Sequence, residues 1–130
     1  MVPFAELAAG AVLFIDSSHR FAPGNDVAVL YGEVVPHLAP GALMHVHDIF
    51  LPDDYPAEWA SRRYDEQERV APLIESGAFE IFWASHYIVT RLADAVARSA
   101  ATSLPLLPGA RETSLWLRKL SPRRPAWRGR

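Results

Sequence analysis

Two short polar clusters carry the residues best suited to chemistry: Asp16-Ser17-Ser18-His19 and His45-Val46-His47-Asp48. Carboxylates and imidazoles exchange protons near neutral pH and ligate cations. Asp16, His19, His47 and Asp48 are therefore the candidate catalytic residues. Asp16 and Asp48 are also candidate metal ligands. A hard cation such as Mg2+ accepts carboxylate oxygens as ligands. The plain structural alternative for each aspartate is the cap of a turn. His45 lies deeper in its apolar run and reads as a hydrogen-bonded core histidine. His37 reads as a surface residue, and His86 has a weaker case for a site role.

The elements that would position these groups follow from patterning. Ala11 to Ile15 is a continuous apolar run, the pattern of a strand buried on both faces of a parallel sheet. Pro23-Gly24 marks a turn, and Asn25 or Asp26 caps a helix whose apolar stripe is Val27, Leu30, Tyr31, Val34 and Leu38. Pro36 weakens its last turn, and Pro40-Gly41 ends it. Ala42 to His47 reads as a second strand, and Ile49 to Tyr55 as a loop. A helix starting at Pro56 carries Trp59 and the charges Arg62, Arg63, Asp65, Glu66, Glu68 and Arg69, so it is expected to face solvent; Pro72 and Gly77 close it. Phe79 to Ala84 is a third strand, Tyr87 to Arg98 a helix, Ala100 to Arg111 a loop and Thr113 to Leu120 a fourth strand. Trp59, Trp83 and Trp116 read as packing residues.

Strands alternating with helices predict an α/β domain with a mainly parallel sheet. Ligands of open α/β sheets bind beyond the carboxyl ends of the strands, where both polar clusters fall. Neighbouring strands lie about 4.8 Å apart, so Asp16 and Asp48 would face a common site. Side chains alternate along a strand, so His45 and His47 share a face. Asp48 joins them only if the chain bends at His47.

Composition narrows the classes. The chain has 130 residues, enough for one domain over 1–120, followed by a basic tail over 121–130 that is expected to be disordered. The tail's four arginines are its only charges, so the rest is more acidic than the net charge of -2 suggests. That balance gives no electrostatic case for nucleic acid. With no cysteine, a disulfide framework, a thiolate metal site and a cysteine nucleophile are excluded. No apolar run reaches the ~18–20 residues of a membrane span, and no signal peptide is evident. A cytoplasmic protein without a membrane partner is the expectation.

Taken together, Asp16-Ser17-Ser18-His19, Glu33, Pro36, Leu38-Ala39-Pro40-Gly41, His45-Val46-His47-Asp48-Ile49-Phe50, Pro52, Tyr55-Pro56, Trp59, Ser85-His86-Tyr87 and Ser114-Leu115-Trp116-Leu117-Arg118 resemble a bacterial branch of the class I S-adenosylmethionine-dependent methyltransferases. The likeness covers roughly residues 2–119. It implies the C-terminal half of a Rossmann-like sheet, its first strand here being the family's fourth and its last strand inserted antiparallel. It further implies that Ile15, Asp16 and Ser17 border the S-adenosylmethionine site, and that Mg2+ assists methyl transfer to a small-molecule or sugar acceptor.

The chain departs from the family in one respect. Cofactor binding needs a glycine-rich turn, and no two of the seven glycines stand close enough to form G-x-G. The expectation is a half-domain lacking the cofactor pocket and inactive alone. Two other readings stand beside it. One is a non-catalytic module that dimerises or pairs with a missing N-terminal half through its first strand's open edge. The other is a metal-dependent hydrolase using the two histidine–aspartate clusters. His45-x-His47 lacks the spacer before Asp48 that a metallo-hydrolase pattern needs, and the helices argue against a cupin.

Overall fold

The computed structural model describes residues 7–103, 105 and 107–122. The fold is α/β, built on an open four-stranded mixed sheet in the order β1-β2-β4-β3. Its strands are β1 (Val12–Ile15), β2 (Leu43–Val46), β3 (Phe79–Ala84) and β4 (Leu115–Lys119). β1 pairs parallel with β2, whereas β4 pairs antiparallel with both β2 and β3. The last strand is thus antiparallel as expected, but the sheet is not mostly parallel. Insertion of β4 between β2 and β3 leaves one parallel pair. The expected tail at 121–130 falls almost wholly outside the described residues.

The core lies on one face of the sheet. Leu13, Ile15, Met44, Val46, Leu115 and Leu117 are buried there against Val34, Val35, Leu38, Ile49 and Val70. The opposite face is bare among the described residues. Phe14, His45, Trp116 and Trp83 form one rung across all four strands, with Phe14 57% and Trp83 50% exposed. β1 is therefore covered on one side only, and Trp83 does not pack in a core. A run of consecutive apolar residues does not reveal how many sheet faces the rest of the chain covers.

All three expected helices are interrupted. Asn25 caps the first by accepting the Ala28 N–H, but α1 (Asp26–Val29) widens into a π turn at Leu30–Val34 and tightens to 3-10 geometry at Val35–His37. Pro36 has no N–H to donate, and its ring crowds the preceding turn. The helix expected from Pro56 is a 3-10 segment, Ala57–Arg62, ended by Arg63 in the left-handed region at φ 55°. A separate α2 (Gln67–Glu75) then runs through Pro72 and stops before Gly77, φ 71°. The break turns Glu66 and Gln67 inward, where both are buried. α3 (Ser85–Arg91) and α4 (Ala93–Ala97) divide the next helix at Leu92, and Ala100–Ser103 forms a further 3-10 turn.

Candidate functional site

β1 and β2 end side by side, and their parallel register continues past both ends. Phe14 pairs with His45, and the His47 N–H donates to the Ile15 carbonyl at 2.9 Å. Asp16 and His47 thereby become neighbours, with Asp16 Oδ1 3.7 Å from His47 Nδ1. The bend that Asp48 requires is present: β2 stops at Val46, and Asp48 adopts φ 55°. Asp48 Oδ1 lies 3.3 Å from His47 Nδ1 and accepts a hydrogen bond from Thr113 Oγ1 at 3.1 Å.

His19 closes the cluster from above. It too is left-handed, at φ 56°, and its residue is 4% exposed. Nε2 lies 3.3 Å from Asp16 Oδ1 and 3.8 Å from Asp48 Oδ2. Two non-glycine residues in this sparsely populated backbone region, both at one site, must be held by their surroundings. For His19 the holding is visible. Its carbonyl accepts the backbone N–H groups of Asp65 and Glu66 at 3.0 and 3.2 Å, and its ring lies 4.6 Å from that of Tyr64. All four expected catalytic residues therefore meet at one rim of the sheet.

Glu66, expected on a solvent-facing helix, is fully buried beneath His19. Its Oε2 pairs with His19 Nδ1 at 2.7 Å and accepts from Ser17 Oγ at 2.9 Å; its Oε1 accepts from Tyr31 O–H at 2.8 Å. Three hydrogen-bond partners thus surround the buried Glu66 side chain. Nothing in the spacing of the charged run 62–69 singled out Glu66. Burial acts to lower the His19 pKa, but the bond to Glu66 and the charges of Glu66, Asp48 and Asp16 outweigh it and hold the pKa above the usual histidine value. Burial of Tyr31, with the Glu66 charge beside it, raises its pKa strongly.

The remaining residues fall elsewhere. Ile15 packs its side chain in the core, and Ser17 is engaged by Glu66. His45 is not a core histidine: it sits on the open face, stacked on Trp116 at 4.3 Å, and its buried Nε2 has no hydrogen-bond partner. Burial lowers its pKa, helped by His47 and opposed by Asp16. His86 pairs with Asp53 at 2.7 Å, and His37 is exposed.

One donor atom each from Asp16, His19 and His47 lies within 4.8 Å of the others, a set able to hold a metal ion. The S-adenosylmethionine expectation fares differently. Close approach of a cofactor backbone needs glycine at the carboxyl end of a strand. Gly10, Gly41 and Gly77 instead precede β1, β2 and β3, at the strands' amino ends, and Gly24, in the β1–α1 connection, stands well past Ile15 and next to no other glycine. The turns at the carboxyl ends of β1 and β2 carry Asp16–His19 and His47–Asp48 and no glycine. The described residues do not fit that cofactor by themselves.

No protein-family model, curated protein or solved structure matches the chain. No helix among the described residues is long and apolar enough to cross a membrane.

Proposed function

We propose that this chain is the acceptor-binding half of a class I methyltransferase, acting on a hydroxyl of a small molecule or sugar. The observation that carries the reading is the meeting of Asp16, His19, His47 and Asp48 at the carboxyl ends of the parallel pair β1–β2. The strand order β1-β2-β4-β3, with the last strand inserted antiparallel, supports it by agreeing with the half-sheet that the resemblance implies. The chain's own share is to hold the acceptor hydroxyl against the cluster and take up its proton. S-adenosylmethionine would supply the methyl group from a site formed outside these residues.

Among the described residues the Phe14–His45–Trp116–Trp83 rung is uncovered and the outer edge of β1 is unpaired, which supports a partner segment, whether another part of the domain or a second copy. The two imidazoles beside Asp16 favour a metal-dependent hydrolase as the second reading.

Calorimetry and a methyl-transfer assay separate these readings. The isolated chain should show no micromolar binding of S-adenosylmethionine. The chain extended at its N-terminus by a glycine-rich strand–turn–helix half should methylate a hydroxylated acceptor, with Asp16→Asn abolishing transfer. Micromolar binding by the isolated chain, or an extended chain without transfer, overturns the proposal. Metal-dependent ester hydrolysis by the isolated chain would establish the second reading instead.

A further inference from the structure

We infer that Asp16, His19 and His47 form a three-ligand site for a borderline divalent transition metal of the zinc or cobalt class, rather than for Mg2+, with Glu66 fixing the His19 ligand from behind. The inference stands on the cluster's geometry and not on methyl transfer.

The spacings from Asp16 to the two histidines are longer than direct hydrogen bonds, and the three donor atoms lie within 4.8 Å of one another. A charge-assisted N–H···O bond measures about 2.7–2.9 Å. Tetrahedral donors bonded to one cation at about 2.0–2.1 Å stand about 3.3–3.4 Å apart. Asp16 Oδ1 lies 3.3 Å from His19 Nε2 and 3.7 Å from His47 Nδ1. The His47 Nδ1 atom is buried and makes no hydrogen bond, although Asp48 Oδ1 lies 3.3 Å away. A buried ring nitrogen in that position requires explanation, and a lone pair directed at a cation supplies one.

Glu66 supplies the second support. A ligating histidine usually donates its other ring N–H to a carboxylate, which fixes the tautomer and leaves the ligating nitrogen's lone pair free. His19 Nδ1 lies 2.7 Å from Glu66 Oε2, and that carboxylate is held in turn by Tyr31 and Ser17. Nε2 is the atom left facing Asp16. The donor set decides the class of metal. Two imidazoles suit zinc-like ions, whereas Mg2+ takes oxygen donors and keeps much of its water. Three protein ligands leave a coordination position for a substrate oxygen. Asp48, beside the trio and fixed by Thr113, is then the group placed to receive that oxygen's proton.

Equilibrium dialysis of the metal-stripped chain against Zn2+, Co2+ and Mg2+ salts, with metal analysis, tests this directly. One Zn2+ or Co2+ should bind per chain, with Mg2+ weaker by about a hundredfold or more. His19→Ala and His47→Ala should each weaken binding at least about tenfold, and Glu66→Ala by about 10–100-fold. His37→Ala, away from the cluster, should bind as the parent does. The Co2+ form should show the visible absorption of a low-coordinate site, lost in His47→Ala. His47 is half-exposed, so its variant keeps the test decisive if His19→Ala does not fold. No saturable Zn2+ or Co2+ binding, Mg2+ binding as tight as Zn2+, or unchanged affinity in His47→Ala overturns the inference. Metal binding is read without any methyl-transfer activity, so failure of either proposal leaves the other standing.

Discussion

His19 and Glu66 lie 47 positions apart in sequence and meet at 2.7 Å in the interior. The contact is double. The side chains pair through Nδ1 and Oε2, while the His19 carbonyl takes the backbone N–H groups of Asp65 and Glu66. This joins the turn after β1 to the entrance of α2, and so sets the height at which Nε2 faces Asp16 and Asp48. The break at Arg63 is what allows it, because an unbroken helix would carry the 62–69 charges along a solvent face.

Removing Glu66 should therefore destabilise the whole fold. Glu66→Ala leaves the buried His19 donor and the part-buried donors of Tyr31 and Ser17 without their acceptor, at about 1–3 kcal/mol for each group that water cannot reach. A loss of at least about 3 kcal/mol in urea denaturation is expected, with Glu66→Gln costing less because its amide oxygen still accepts. An unchanged midpoint in Glu66→Ala would show that the network carries no stability.

Asp53 should give the fold an acid-sensitive link. The bond from Arg91, and then that with His86, hold its carboxyl below the usual aspartate value of 3.8. A depressed folded pKa contributes stability that is present above the unfolded value and is lost as pH falls through the folded one. The parent should thus be more stable than Asp53→Asn at about pH 6, and the gap should close by about pH 2. A gap that persists at the acid end would show that the charge is not the cause.

The two faces of β1 should answer substitution differently. Ile15 is 1% exposed and Val12 47%. Ile15→Ala should cost about 2–4 kcal/mol through lost burial and the cavity left behind. Val12→Ala should cost under about 0.5 kcal/mol, as surface changes do. If Val12→Ala and a polar replacement of Phe14 instead shift the oligomeric state in light scattering, the open face is an interface in solution.

Much of the candidate site was legible because apolar runs end where strands end. Val-Leu-Phe-Ile stopping at Asp16 and the run stopping at His47-Asp48 placed both clusters at carboxyl termini. Pairing of the two strands then brought Asp16 to His47. Asn25 was readable as a cap, since a short acceptor side chain ahead of an apolar stripe has one obvious partner. Glu66 was not legible. A carboxylate within a charged run looks solvated until a left-handed residue three positions earlier turns the chain inward. His45 and Trp83 misled for the converse reason: their apolar neighbours suggested a core, but nothing described covers that face.

The amino-acid order alone determined which segments become strands, where their polar ends lie and which four side chains could do chemistry there, because those depend on local propensity and period. Only the tertiary structure decided that one sheet face stays open among the described residues and that Glu66 reaches His19. These are long-range outcomes, set by which surfaces bury together and which buried donors find acceptors, and spacing along the chain does not encode them.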